Sequence, residues 1–341
     1  MPAPRIWRLG GEMLALRVHG FEGLHQWALE EAPAPPPAEG EVQVRVLANA
    51  VSYVDLLFAR GGYQVKPALP LVPGTEFSGV ISALGSRVEG LHVGQRVAGM
   101  TVGGAWAELT CIPAAAVVSL PDHVDTREAS ALAVTYATAL YALKTRGSLA
   151  AGETVLVLGA TGGVGAASVQ VAKALGASVI AGVSSAEKMQ IALDDGANLA
   201  IDIRQPDWRS ALKAAAPAGI DVVVDPLGGS YTETAFRTLR WGGRHLIVGF
   251  AAGEIPAIRA NLPLLKGASL VGVDIRQFRE LEPSRAWANL AETVSLFASG
   301  SLRPKVAAAY PVQEWRNAIQ HAQTSSTVGR VFLDWDVTAI Q

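Results

Sequence analysis

The chain has 341 residues, of which 50% are hydrophobic and 17% are charged, and its formal net charge is −2. This length favours two domains over one, and the composition is typical of a folded protein with buried cores. The near-neutral charge predicts no binding to nucleic acid or to an anionic membrane surface.

Cysteine content and the absence of long apolar segments indicate the compartment. Cys111 is the single cysteine, so no disulfide within the chain and no cysteine-built zinc site can form, and the six histidines show no helical pair spacing. Arg5, Arg8 and Glu12 interrupt every apolar run near the start, as they would not in a signal peptide. The longest apolar stretch, 129–143, is too short to span a membrane. We expect a cytoplasmic protein with no bound metal.

The first third of the chain predicts a β-rich region. Short runs rich in Val, Leu and Ile alternate with Gly and Pro, and the strands they predict are 13–18, 41–47, 79–84 and 96–99. From Asp125 the chain becomes rich in alanine, which predicts helix continuing to Leu143.

The middle of the chain alternates strands with helices. The predicted strands are 154–160, 178–184, 199–203, 221–225, 244–250 and 269–275, and helices such as 164–175 and 187–193 separate them. This alternation predicts a doubly wound parallel sheet with right-handed connections. The tail returns to a mixed pattern, with helices predicted over 285–298 and 312–322 and strands over 305–310 and 329–334.

A glycine-rich turn lies where the first of these strands meets its helix. Its sequence is Gly159-Ala-Thr-Gly162-Gly163-Val164-Gly165. A tight turn, close approach of a pyrophosphate and close packing of the helix on the strand each favour glycine. The N–H groups at the start of the helix would then receive the phosphates. We therefore predict dinucleotide binding at Gly159, Gly162, Gly163, Val164 and Gly165; the alternative is a simple tight turn.

The end of the second strand indicates which dinucleotide binds. An NAD site would place a carboxylate there, but the chain has Ser184-Ser185, and the first acid is Glu187 inside the next helix. The two hydroxyls and the ammonium of Lys188 could bind a 2′-phosphate, which predicts NADPH. The alternative is a serine helix cap followed by an ordinary surface lysine.

Several sequence elements recur together in one known superfamily. They are Ala48-Asn-Ala-Val-Ser52-Tyr-Val-Asp55, Arg60-Gly-Gly-Tyr63, Pro73-Gly74-Thr-Glu76-Phe-Ser-Gly79, Gly94-Gln-Arg-Val97, Gly104-Ala-Trp-Ala-Glu108, Thr135-Tyr-Ala-Thr138, the glycine turn, Asp225-Pro-Leu-Gly-Gly229 and Gly242-Gly-Arg…Val248-Gly-Phe250. In this order they resemble the medium-chain dehydrogenase/reductase superfamily, and within it the zinc-free NADPH:quinone oxidoreductases. The resemblance covers about residues 13–334.

The resemblance implies an α/β fold of two domains. A GroES-like, β-rich catalytic domain would comprise residues 1–128 and 277–341, and a Rossmann domain with a doubly wound parallel sheet would comprise 129–276. It also implies a homodimer that pairs the last Rossmann strands, near 269–275.

The resemblance further implies what this chain lacks. Zinc alcohol dehydrogenases supply Cys, His and Cys where this chain has Ser52, Thr75 and Val134, none of which is a usual zinc ligand. Family members often hold the 2′-phosphate with a Tyr and a C-terminal Arg, where this chain has Ile203 and Ser325. These two departures weaken the NADPH assignment without restoring an NAD carboxylate. Many members also carry Asn in place of Ser52, so the substrate preference of this chain is expected to differ.

The predicted function is NADPH-dependent reduction of a quinone or related α,β-unsaturated carbonyl without zinc. Tyr63 and Ser52 are the candidates to polarise the carbonyl oxygen, while Thr138 and Phe250 are expected near the nicotinamide. Tyr63 could instead be a half-buried aromatic residue of a loop. The alternative functions are an enoyl-thioester reductase and a non-enzymatic NADPH-binding protein.

Overall fold

The computed structural model describes residues 11–64, 68–324 and 326–335. The chain divides into two compact units. Unit 1 comprises Met1–Val134, Pro283–Val294 and Pro304–Gln341, and unit 2 comprises Thr135–Glu282 and Ser295–Arg303. The domain boundaries expected from the resemblance, at 128 and 276, remain predictions.

Within the described residues the strands are named in chain order. They are β1 (Glu12–Val18), β2 (Trp27–Pro33), β3 (Glu41–Val51), β4 (Glu76–Leu84), β5 (Arg96–Met100), β6 (Leu109–Pro113), β7 (Val117–Ser119), β8 (Thr154–Leu158), β9 (Ser178–Val183), β10 (Leu199–Asp202), β11 (Ile220–Asp225), β12 (Leu239–Ile247), β13 (Ser269–Gly272), β14 (Val306–Pro311) and β15 (Arg330–Asp334).

The α-helices are named in the same way. They are α1 (Tyr53–Ala59), α2 (Thr126–Ala129), α3 (Ala137–Leu140), α4 (Gly163–Ala174), α5 (Ala186–Asp194), α6 (Trp208–Ala215), α7 (Ser230–Phe236), α8 (Asn261–Lys266), α9 (Ile275–Leu281), α10 (Pro283–Ala298) and α11 (Trp315–Gln323). Two π-helical segments, Leu132–Tyr136 and Tyr141–Arg146, flank α3. The continuous helix predicted up to Leu143 is therefore broken into short pieces.

Unit 1 is built on a largely antiparallel sheet. Its strand order is β14-β15-β3-β4-β5-β7, with β6 also paired to β3, and β1 and β2 form a separate antiparallel pair. β15 comes from the tail of the chain and pairs antiparallel with β3, so both ends of the sequence contribute to one sheet. Its largest fully buried side chains include Trp106, Phe77 and Phe332.

Unit 2 is built on a six-stranded sheet in the order β10-β9-β8-β11-β12-β13. Every neighbouring pair in it is parallel. β8 lies inside the sheet, and the strands that follow it are added first on one side and then on the other. This arrangement confirms the predicted doubly wound sheet, whose ligands bind where the strand order reverses.

The fifth strand of this sheet differs from its prediction. It was expected over 244–250, with Phe250 at its end, but β12 starts at Leu239 and stops at Ile247. Beyond Ile247 the backbone N–H groups of Val248 and Gly249 both donate to the Asp225 carbonyl, at 2.9 and 3.3 Å. The chain then turns over the loop that follows β11, so the placement of Phe250 in the strand was wrong.

Candidate functional site

The glycine turn joins β8 to α4 in unit 2. Gly159 has φ of +61°, a left-handed conformation that favours glycine at the point where the strand turns. A Cβ atom on Gly165 would lie far inside van der Waals contact with the Gly159 carbonyl oxygen. Only glycine therefore lets α4 pack this closely on the turn, as a dinucleotide-binding turn requires.

The start of α4 is open to a ligand. Gly162 is its N-cap residue and provides no side-chain cap. By contrast, Ser52, Asp125 and Ser185 cap α1, α2 and α5 with side-chain oxygens. The first N–H groups of a helix have no partner within the helix, and the helix dipole makes this end positive. This turn therefore fits the pyrophosphate of a dinucleotide.

The three polar residues predicted for the 2′-phosphate lie together after β9. Ser185 caps α5 by accepting a hydrogen bond from the Lys188 backbone N–H at 3.4 Å. The Lys188 ammonium lies 3.3 Å from the Ser184 hydroxyl oxygen. Ser185 is therefore a helix cap, and this does not conflict with a role in phosphate binding, because a capping serine can also lie beside a phosphate site. Ile203 is buried among apolar residues, and Ser325 lies outside the described residues.

The loop after β11 is held by a buried carboxylate. Asp225 Oδ1 accepts from the backbone N–H groups of Leu227 and Gly228, at 3.0 and 2.9 Å. Its Oδ2 accepts from the Thr232 hydroxyl at 2.6 Å and lies 3.0 Å from His245 Nε2. Burial opposes the charge, but the His245 interaction and the other hydrogen bonds hold the pKa of Asp225 below its ordinary value. The carboxylate therefore fixes the loop that packs beside the glycine turn.

Phe250 and Thr138 belong to other parts of unit 2. Phe250 is 36% exposed, in a loop whose Ala251 and Ala252 N–H groups donate to the carbonyls of Pro226 and Leu227. Thr138 is buried in α3, between the two π-helical segments. Single π-helical turns occur often at functional sites. The roles of both residues toward the nicotinamide remain predictions.

In unit 1 a second buried carboxylate binds Ser52 and Thr75. Ser52 and Asp55 form a capping box at the start of α1. Asp55 Oδ2 accepts from the Ser52 N–H at 2.8 Å and from the Ser52 hydroxyl at 2.7 Å. Asp55 Oδ1 accepts from the Thr75 hydroxyl at 2.8 Å. Burial raises the pKa of Asp55, and the hydrogen bonds from Ser52 and Thr75 offset only part of that effect.

A buried ion pair adjoins this cluster. Glu76 is 0% exposed, and its Oε1 accepts from Arg330 Nη2 at 2.9 Å. Its Oε2 accepts from the Val134 backbone N–H at 2.9 Å. The three positions compared with zinc ligands, Ser52, Thr75 and Val134, are therefore bonded to two neighbouring carboxylates of unit 1.

Tyr63 follows the glycine pair that ends the α1 loop. Gly61 has φ of +67°, and Tyr63 is half-buried, edge-on to Phe58 with ring centroids 6.4 Å apart. Its ring packs against the apolar cluster that contains Leu56 and Trp106. The ring is thus held by packing, and a catalytic role for the phenol remains a prediction.

Two residues at the centre of these clusters were not singled out from the sequence. Asp55 could have been found, because Ser52-x-x-Asp55 is the spacing of a capping box. The role of Asp225 depends on His245 on the neighbouring strand, and no local spacing predicts that pairing.

The described residues contain neither a metal-binding cluster nor a membrane-spanning helix. Among residues 11–64, 68–324 and 326–335, no group of three His, Cys, Asp or Glu side chains could hold a metal ion. Over the same part of the chain, no helix has the length and apolar character needed to cross a membrane.

Comparisons with known proteins identify the family. A family model described as "Alcohol dehydrogenase GroES-like domain" matches residues 38–122. A second model, described as "Zinc-binding dehydrogenase", matches residues 163–293. "Quinone oxidoreductase-like protein 2" of Bos taurus is 34% identical over 89% of this chain and 88% of its own length.

Solved structures agree with this result. A probable oxidoreductase from Mycobacterium abscessus has a TM-score of 0.86 and 33% identity, covering 95% of this chain and 99% of its own. A mycobacterial protein solved in complex with NADPH has a TM-score of 0.86 and 28% identity, covering 94% of this chain and 99% of its own.

The chain belongs to the medium-chain dehydrogenase/reductase superfamily, and within it to the quinone oxidoreductase type. It is an oxidoreductase with a GroES-like domain and a Rossmann-type nucleotide-binding domain, as the resemblance implied.

Proposed function

We propose that this protein uses NADPH to reduce a quinone or a related α,β-unsaturated carbonyl, without zinc. The observation that carries the proposal is the Ser52–Asp55–Thr75 cluster. Its two hydroxyls, at positions where zinc relatives supply ligands, both donate to a buried carboxylate. Hydroxyl side chains bonded in this way are not a zinc ligand set. The substrate must therefore be one that hydrogen bonding alone can activate.

NADPH, when bound, supplies the hydride. An electron-poor conjugated carbonyl then needs a hydrogen-bond donor for the negative charge that develops on its oxygen. The Ser52 hydroxyl has one proton and already donates it to Asp55. Ser52 would therefore act as a donor only after breaking its bond to Asp55, and Tyr63 is the other candidate.

A substrate panel tests the activity. Purified protein is given NADPH with a simple quinone, an enone or an enoyl-CoA ester, and NADPH oxidation is followed by absorbance. We expect turnover of the quinone or the enone. Turnover of the enoyl-CoA ester alone would support the enoyl-thioester reductase instead. NADPH binding with no turnover of any substrate would indicate a binding protein.

The variant Tyr63→Phe tests whether the Tyr63 phenol is the hydrogen-bond donor to the carbonyl oxygen of the substrate. The variant keeps the ring and removes only the phenol, whose hydrogen bond should strengthen in the transition state. Both kcat and kcat/KM should fall roughly tenfold or more, while NADPH affinity and the thermal midpoint stay constant. Normal turnover by Tyr63→Phe, with Tyr63→Leu losing stability or substrate affinity, would make Tyr63 a packing residue.

Elemental analysis tests the absence of zinc. The purified protein should contain no stoichiometric zinc, and chelators should leave its activity intact. About one tightly held zinc per chain, with activity lost on its removal, would contradict the proposal.

We also propose a cytoplasmic homodimer that pairs β13 with its copy. β13 is at the edge of the parallel sheet, and Leu270 on it is exposed. Leu264 and Leu265 on the preceding α8 are 77% and 69% exposed. An open strand edge beside apolar side chains favours pairing with another strand. Sedimentation should give a dimer, and Leu270→Lys should shift it toward monomer; an unpaired native chain would contradict this.

A further inference from the structure

Arg204 lies just beyond the end of β10, at the same edge of the sheet as the residues that follow β9. β10 pairs in parallel with β9, and Asp202 is opposite Val183. The register continues for one more residue, because the Ile203 N–H donates to the Val183 carbonyl at 2.9 Å. Arg204 is therefore level with the Ser184–Ser185 pair.

The guanidinium of Arg204 is held loosely. Asp202 Oδ1 accepts from the Arg204 backbone N–H at 3.0 Å and lies 3.5 Å from Arg204 Nε. Asp202 Oδ2 accepts from the Gln205 amide at 3.1 Å, so the carboxylate has other donors. The Arg204 side chain is 56% exposed, and in residues 11–64, 68–324 and 326–335 neither of its Nη nitrogens has a hydrogen-bond partner. The fork of the guanidinium is thus available to a ligand.

The charge of Arg204 acts on the first turn of α5. Glu187 lies in that turn, and the hydroxyl of Ser185 and, more weakly, the charge of Arg204 hold its pKa below the ordinary value. The same turn carries the Lys188 ammonium, 3.3 Å from the Ser184 oxygen. Two cations from different elements of the chain therefore lie beside the first turn of α5.

Two acids lie beside these cations, and Asp202 forms an ion pair with Arg204 at 3.5 Å. Glu187 accepts a hydrogen bond from Ser185, and Asp202 accepts bonds within its own turn. A site for NADH would have a carboxylate at the end of β9 to bind the ribose hydroxyls, and neither Glu187 nor Asp202 occupies that position. The local chemistry favours a phosphate over a ribose hydroxyl.

We propose that Arg204 is a second cationic ligand of the 2′-phosphate and sets the preference for NADPH together with Lys188. This inference depends on the proposed function, which places the dinucleotide at the glycine turn. A guanidinium can bind two oxygens of one phosphate, which an ammonium cannot do with fixed geometry. Arg204 would supply the contact that the buried Ile203 cannot make.

Direct binding tests the role of Arg204 without turnover. Titrations with NADPH, NADH and adenosine 2′,5′-bisphosphate compare the native protein with Arg204→Gln, Lys188→Gln and the double variant. Arg87→Gln is the matched control, because it removes the same charge from an 80% exposed arginine of unit 1.

Arg204→Gln should weaken NADPH and the bisphosphate about tenfold and leave NADH within about twofold. Lys188→Gln should act in the same direction, and Arg204→Lys should recover only part of the loss. Equal weakening of both cofactors, or no weakening of either, would overturn the role of Arg204. A native protein that binds NADH as tightly as NADPH would instead contradict the cofactor assignment in the proposed function.

Discussion

A buried aspartate organises a loop in each unit of the molecule, Asp55 in unit 1 and Asp225 in unit 2, and the pKa values of the two are shifted in opposite directions. Asp55 in unit 1 is 0% exposed and has a raised pKa, whereas Asp225 in unit 2 is 1% exposed and has a lowered one. Burial acts on both in the same direction. Burial and the partners of each carboxylate together set the difference.

The partners of the two carboxylates are not equivalent. Asp55 accepts from one backbone N–H and two hydroxyls. Asp225 accepts from two backbone N–H groups and one hydroxyl and also faces the ring of His245. The number and kind of donors act together with burial in deciding whether such a carboxylate keeps its charge.

The largest effect is expected at the ion pair beside the Asp55 cluster. Arg330→Met leaves Glu76 as a buried charge without its cationic partner, which should cost about 3–5 kcal/mol in the free energy of unfolding. Denaturant titration followed by fluorescence measures it, and Arg330→Lys is the control that keeps the charge. A loss below about 1 kcal/mol would show that Glu76 is neutral in the folded protein.

Asp225→Asn should have the next largest effect. Asparagine can still accept from the N–H groups of Leu227 and Gly228, but it loses the charged interaction with His245. We expect a loss of about 1.5–3 kcal/mol, the range for hydrogen bonds to charged groups. The rates of amide hydrogen exchange at Leu227 and Gly228 should rise as stability falls. Unchanged stability would mean that the charge on Asp225 contributes nothing.

A third carboxylate, Glu153, is less buried and is bonded to an arginine, and its contribution to stability should depend on pH. Hydrogen bonds from Arg244, at 2.9 and 2.6 Å, lower the pKa of Glu153 to about 2. Because the folded pKa is depressed, this contribution is complete above about pH 4.5 and is lost as the pH falls toward 2. Glu153→Gln should cost about 1–3 kcal/mol at pH 7 and less at pH 3. Equal losses at both pH values would contradict this sign.

The smallest effect is expected for Asp55→Asn. The asparagine oxygen can accept from the Ser52 N–H and its amide can donate to the Thr75 hydroxyl, so the cluster is retained. Because the folded pKa of Asp55 is raised, its ionised form opposes folding as the pH rises above about 3.8. The free energy of unfolding of the variant should lie within about 1 kcal/mol of that of the native protein at pH 7. Relative to the native protein, the variant should be more stable at pH 8 than at pH 4. A larger loss would show that the charge is needed.

The sequence predicted those features that depend on local spacing. The strands of unit 2 are short apolar runs, and the glycine turn meets a conformational demand at Gly159 and a close contact at Gly165. The features that it missed need partners distant in sequence. His245 meets Asp225 because β12 pairs with β11, and Arg330 meets Glu76 from 254 residues away.

The ends of β12 and the helix breaks around α3 were also mispredicted. In both places backbone hydrogen bonds, rather than the hydrophobic pattern, decide the structure. Val248 and Gly249 keep apolar or small side chains like those of a strand, yet their N–H groups bond to Asp225. The alanine-rich segment has good helix propensity but forms π-helical turns on either side of Thr138.

The position of β15 has a consequence for synthesis of the chain. β15 supplies Arg330 to Glu76 and Asp334 to Arg127, while its backbone pairs with β3. At a translation rate of 5–20 residues per second, Arg330 is added roughly 13–50 s after Glu76. During that time residues 48–51 of β3 lack β15, although β3 can already pair with β4 and β6, whereas unit 2 is complete by Arg303. Unit 2 can therefore fold first on the ribosome, and the first segment of unit 1 must wait with an open edge until the last strand emerges.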